Sequence, residues 1–113
     1  MTPPEEILIK PPKSEPTPEP WLVVAKNRRV NRDWSDLISR YPENARRCYQ
    51  YLVNLPMQRQ PGRVFPLRGK KYKGAWEYEV SKGDRVFYVP DPRQHKVVVY
   101  YAGKHPKNAA PFP

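Results

Sequence analysis

Residues 76–106 constrain the fold more tightly than any other stretch of this chain. Three runs rich in β-branched and aromatic residues are separated there by two clusters of turn residues. Trp76-Glu77-Tyr78-Glu79-Val80 alternates large apolar with acidic side chains, the period-two pattern of a half-buried strand. Ser81-Lys82-Gly83-Asp84 supplies a turn, with Gly83 free to take a positive φ. Arg85 to Val89 forms the second run, and Pro90-Asp91-Pro92 is expected to end it, because proline brings no ladder donor. Lys96 to Ala102 is almost continuously apolar, as in a central strand covered on both faces. Gly103-Lys104-His105-Pro106 closes the stretch. The pattern predicts an antiparallel meander with cationic groups at its ends and turns.

Before the meander the period changes. Trp21-Leu22-Val23-Val24-Ala25 is a compact apolar run and predicts a first strand. Val30, Trp34, Leu37, Ile38 and Tyr41 then fall at helical spacing, with Arg32, Asp33, Asp36 and Arg40 opposite. Pro42 ends that helix and can open the next, since proline is tolerated at a first helical position. Ala45, Cys48, Tyr49, Leu52 and Leu55 continue one apolar stripe, so the two helices should form an antiparallel hairpin. Residues 56–63 read as a loop and residues 64–67 as a short edge strand, with Pro66 unable to donate. Arg68-Gly69-Lys70-Lys71-Tyr72-Lys73-Gly74 is a basic loop with one aromatic inside it. Strand, helix, helix, then several strands is an α+β plan, a helical hairpin packed on a small antiparallel sheet.

A chain of 113 residues supports one small domain. Seven of its 16 prolines lie in the first 20 residues, which read as a disordered or extended tail with one apolar island, Ile7-Leu8-Ile9. The expected division is a tail over 1–20, a folded domain over 21–106 and a short tail over 107–113. Net charge is +10, of which +8 falls in residues 56–113. That balance points to a polyanion such as nucleic acid, or to an acidic protein partner. The single cysteine, Cys48, excludes an intramolecular disulfide and a multi-cysteine zinc cage, and its helical setting predicts a buried, inert thiol. No apolar run is long enough for a bilayer span and the proline-rich start lacks a signal-peptide core, so cytoplasm is expected and no membrane partner.

The order of elements, with Pro66-Leu67-Arg68-Gly69, Trp76-Glu77-Tyr78-Glu79-Val80, Asp84-Arg85-Val86-Phe87-Tyr88 and Gly103-Lys104-His105, resembles the RelE/ParE superfamily of bacterial type II toxins. The likeness covers roughly residues 21–106. It implies the RelE-like β-α-α-β-β-β fold and a toxin held inactive by an antitoxin, here expected to be acidic. RelE-type members cut messenger RNA on the ribosome by metal-free attack of the 2′-hydroxyl, without cofactor or small-molecule substrate. ParE-type members poison gyrase without nuclease chemistry, and that alternative, or a basic binding module, stays open.

Metal-free RNA cleavage needs a base for the 2′-hydroxyl proton, an acid for the leaving 5′-oxygen and cations around the transition state. The resemblance gives Arg85 the role of holding the scissile phosphate, which suits a planar, permanently charged guanidinium. The other role open to Arg85 is stabilising the turn, or pairing with Asp84 or a strand carboxylate. His105 occupies the position of the relatives' C-terminal arginine or histidine and can exchange a proton near neutral pH. Arg68, Lys104, Lys70, Lys71 and Lys73 are candidate nucleic-acid contacts, with Tyr72 available for stacking; a merely solvated basic surface is the alternative. His95 reads as surface.

Two features depart from the family pattern. Glu77 and Glu79 stand where the nucleases carry strand lysines. They share a face by parity, could face Arg85, and are candidates for a general base or for ion pairs. The tyrosine expected after the basic pair is missing, with Ala109, Ala110, Pro111 and Phe112 in its region. Tyr101 or Tyr72 could take its place.

Overall fold

The computed structural model describes residues 19–113; the expected tail, with Ile7-Leu8-Ile9, lies outside the described residues except at its end. The elements run β1 (Leu22–Ala25), α1 (Arg28–Arg40), α2 (Pro42–Asn54), β2 (Val64–Pro66), a 3₁₀ turn (Lys70–Tyr72), β3 (Trp76–Ser81), β4 (Asp84–Asp91) and β5 (Lys96–Lys104). The Asn27 side chain caps α1 by accepting the Val30 N–H at 2.9 Å, satisfying one of the helix's orphan donors. Pro42 opens α2 as its first residue, after a link of the single residue Tyr41.

The five strands form one sheet in the order β1-β5-β4-β3-β2. β2 to β5 are the expected antiparallel meander, but β1 pairs parallel to β5, with Val23 opposite Val97 and Ala25 opposite Val99. The sheet is therefore mixed, which corrects the antiparallel expectation. A parallel pair needs a long crossover, and here the helical hairpin and the meander together supply it. A second correction concerns Pro90, which does not stop β4 but pairs with Val97. β3 begins at Trp76, opposite Tyr88, so Pro90 lies beyond it, at an edge where proline is tolerated.

The helices cover one face of the sheet. Leu37, Cys48 and Leu52 pack there on Val64, Val80, Val86, Tyr88 and Val97, all buried. The buried Tyr88 hydroxyl donates to the Pro56 carbonyl at 2.7 Å, tying the loop after α2 to the middle of the sheet. The apolar helical stripe is narrower than its periodicity suggests, since Ile38, Tyr41, Tyr49 and Leu55 are exposed.

Among the described residues no α-helix covers the other face. A bulge in the β4–β5 ladder pairs Phe87 with Tyr101 and Tyr88 with Val99, leaving Tyr100 as an extra residue. Neighbouring strand residues normally point to opposite faces. The bulge breaks that alternation, and both tyrosine rings reach Phe87, at 6.2 Å for Tyr100 and 5.4 Å for Tyr101. Ala75, Phe87 and Tyr100 form a small second core, joined by Leu67, Tyr72, Val89 and Ala110.

Candidate functional site on the open face of the sheet

The β3–β4 register sets Glu79 beside Arg85, and the β4–β5 register sets Gly103 on the other side of Arg85. Glu77, Glu79 and Arg85 thus meet on the open face, as parity predicts. The Arg85 head group does not point freely into solvent. Its Nε donates to Glu77 Oε2 at 3.1 Å, and its Nη1 is shared among the carbonyls of Ser81, Lys82 and Asp84 at 2.6, 3.2 and 3.0 Å. Only Nη2 is loosely held, 3.9 Å from Glu79. The Arg85 and Glu77 side chains are 13% and 11% exposed, so this pair is largely withdrawn from water, whereas Glu79 keeps 31%. The arginine clasps the β3–β4 turn and leaves one nitrogen edge for anything else.

The same turn is fastened from below. Asp84 is buried and accepts from Arg40 Nη1 at 3.1 Å and from the Ser81 hydroxyl at 2.9 Å. Asp36 and then Asp84, both hydrogen-bonded to it, raise the Arg40 pKa further above an already high value. α1 is thereby pinned to the turn that carries Arg85.

His105 approaches the turn from β5: its N–H donates to the Gly83 carbonyl at 2.8 Å. The exposed ring lies with Nδ1 2.7 Å from the Pro106 carbonyl. A carbonyl can only accept, so the neutral ring carries its proton on Nδ1 and presents a bare Nε2. Lys104, opposite Asp84 in the ladder, is exposed and lines an open cleft of about 320 Å³ between α1 and β5, with Arg29, Asp33 and Arg40.

The remaining cations stand elsewhere. Arg68, Lys70, Lys71 and Lys73 are exposed around the 3₁₀ turn, where Lys73 takes a left-handed conformation at φ 50°. That turn precedes the first residue of β3, while the Arg85 clasp surrounds its last. A strand of this length separates them by about 20 Å. The lysine turn and the Arg85 clasp thus form two cationic clusters at opposite ends of the open face, with Lys104 in the α1–β5 cleft. His95 is not idle surface, since Nε2 lies 2.6 Å from the Glu19 carbonyl and the ring stacks on Trp21 at 4.4 Å.

Two components of this face escaped the sequence. Tyr100 is buried against Phe87, and burial, with the nearby Tyr72 and Glu77, raises its phenol pKa. Only the bulge reveals its direction. The other is the segment after β5, which crosses the face from His105 to Tyr72. The Tyr72 and Tyr100 hydroxyls donate to the carbonyls of Ala110 and Pro111 at 3.3 and 2.9 Å. Tyr101 instead donates to the Lys104 carbonyl. Among the described residues there is no group of three His, Cys, Asp or Glu able to hold a metal ion, and no helix long and apolar enough to cross a membrane.

No protein-family model matches the chain, and neither does any curated protein compared by sequence. Solved structures do match. A metal-bound toxin from Helicobacter pylori is similar over 75% of this chain and 94% of its own, with a TM-score of 0.56 and 14% identity. A chain of the YoeB–YefM complex from Staphylococcus aureus is similar over 76% of this chain and 98% of its own, with a TM-score of 0.57 and 10% identity. Two helices on a five-stranded mixed sheet, in this order, give the chain the RelE-like toxin fold that those structures share.

Proposed function

We propose that the chain is the toxin of a type II toxin–antitoxin pair and an endoribonuclease that cuts messenger RNA on the ribosome, in the cytoplasm, at the turn held by Arg85. The observation that carries this reading is convergence: the Arg85 side chain grips the Ser81 and Lys82 carbonyls while the His105 backbone N–H donates to that of Gly83. One fixed turn thus carries both a cation and a titratable imidazole, on the residues 21–106 that form the toxin domain. Glu79, the more exposed carboxylate, takes the 2′-hydroxyl proton. The 2′-oxygen then attacks phosphorus, and the bond to the 5′-oxygen breaks. His105, protonated at Nε2, gives the leaving oxygen its proton. Arg85 Nη2 faces the developing charge, and Glu77 acts by holding Arg85 in place. The partner expected to silence the protein is an acidic antitoxin; the similar YoeB chain was solved in a complex with YefM.

A second reading, binding without cleavage, is favoured by the Arg85 clasp itself, because an arginine spent on Glu77 and three carbonyls has little left for phosphate. Induced expression with primer-extension mapping separates the two. Internal breaks in transcripts, lost on His105→Gln, support the nuclease; growth arrest with intact messages supports binding alone, to gyrase or another target.

A further inference from the structure

The open face is already occupied, by the chain's own last residues. The Ala110 and Pro111 carbonyls accept from Tyr72 and Tyr100, and the Phe112 ring lies 5.1 Å from that of Tyr72 while remaining 55% exposed. The segment leaves β5 beside the Arg85 clasp and ends beside the lysine turn, so it spans the interval between the two cationic clusters. Its contacts are those of a particular kind of guest: acceptor oxygens laid on two phenol donors, and a flat ring set against an aromatic one at a tilt of 42°.

We infer that this face is a single-stranded RNA track, with Tyr72 and Tyr100 as its central subsite, and that residues 109–113 occupy it in cis as a competing strap. A single strand offers the same chemistry: ribose and phosphate oxygens to accept from the two hydroxyls, and a base to stack where Phe112 lies. Lys70, Lys71 and Lys73 surround that subsite and can contact the phosphates on one side, with Arg85 Nη2 at the far end. The strap itself carries no acidic side chain, so its hold rests on two hydrogen bonds, one ring contact and the packing of Ala110 on the second core, while RNA adds phosphates for the lysines. The competition therefore favours RNA at low salt and the strap at high salt. The inference rests on the proposal that RNA is the target, but requires binding only and no cleavage.

The experiment is fluorescence anisotropy with a labelled twelve-nucleotide single-stranded RNA at several salt concentrations. The full chain is compared with one lacking residues 109–113 and with Phe112→Ser, whose exposed ring can be removed without opening a core. If the strap is closed about nine-tenths of the time, its removal tightens the apparent Kd about tenfold. Phe112→Ser should give part of that gain. In the shortened chain, Tyr72→Ala should lose the gain for RNA. Unchanged or weaker RNA binding by a folded Phe112→Ser and a folded shortened chain would overturn the inference. So would an equal gain for a labelled polyglutamate, which lacks bases. Tighter RNA binding without any cleavage would leave the strap standing and remove the nuclease.

Discussion

Replacing Glu77 by glutamine removes one charge from the Arg85 clasp and little else. A hydrogen bond to a charged partner contributes about 1.5–3 kcal/mol. Arg85 keeps three carbonyl acceptors and the distant Glu79, and the pair retains some contact with water. The expected cost thus lies near the lower end, about 1.5–2 kcal/mol. For a domain of this size that lowers Tm by roughly 6–16 °C. A double-mutant cycle isolates the pair: Glu77→Gln, Arg85→Gln and the double variant, each followed by urea unfolding. The two single changes should be non-additive by about 1–2 kcal/mol, because either one removes the same charge-assisted contact. Additivity within about 0.5 kcal/mol would refute the clasp and return Arg85 to a free, phosphate-facing role.

Other outcomes follow from the same geometry. Changing Lys70, Lys71 and Lys73 together to glutamine should weaken single-stranded RNA binding and flatten its salt dependence by about 0.7 in log–log slope per lost phosphate contact; an unchanged slope places the lysines off the track. Cys48 is fully buried and burial raises its pKa, so iodoacetamide at mildly alkaline pH should label it only through unfolding; rapid labelling of folded protein would contradict that packing. Tyr88 and Tyr100 also have raised pKa values, chiefly from burial, so the fold favours their neutral forms. Stability should be unaffected by these groups below about pH 10, the unfolded tyrosine value, and should fall as pH rises beyond it. A flat urea midpoint to higher pH would show that neither phenol resists ionisation.

Much of the fold was legible because its elements have distinct periods. Alternation over residues 76–80, helical spacing from Val30 to Leu52 and the prolines at 42 and 66 set the order of elements and the edge strand. The direction of β1 was not legible, since an apolar run such as Leu22-Val23-Val24-Ala25 is equally suited to a parallel or an antiparallel neighbour. The site was legible in part. Parity correctly brings Glu77, Glu79 and Arg85 together, but residue type alone does not say that the guanidinium closes on the turn rather than on solvent. The sequence offered Lys70, Lys71 and Lys73 as nucleic-acid contacts without their distance from Arg85, which the length of β3 sets. Tyr100 was hidden because strict alternation assigns adjacent tyrosines to opposite faces, and the bulge breaks that rule.

The central claim, transesterification at the Arg85–His105 turn, is tested most directly by the chemistry of the ends it makes. Attack by the 2′-hydroxyl leaves a 2′,3′-cyclic phosphate on one fragment and a 5′-hydroxyl on the other. Purified protein, ribosomes and a defined message should yield those ends, at a rate about 100-fold or more lower for a folded His105→Gln chain, which keeps a hydrogen bond but cannot titrate. Uncut message, or ends bearing a 5′-phosphate, would contradict it, as would undiminished cleavage by His105→Gln.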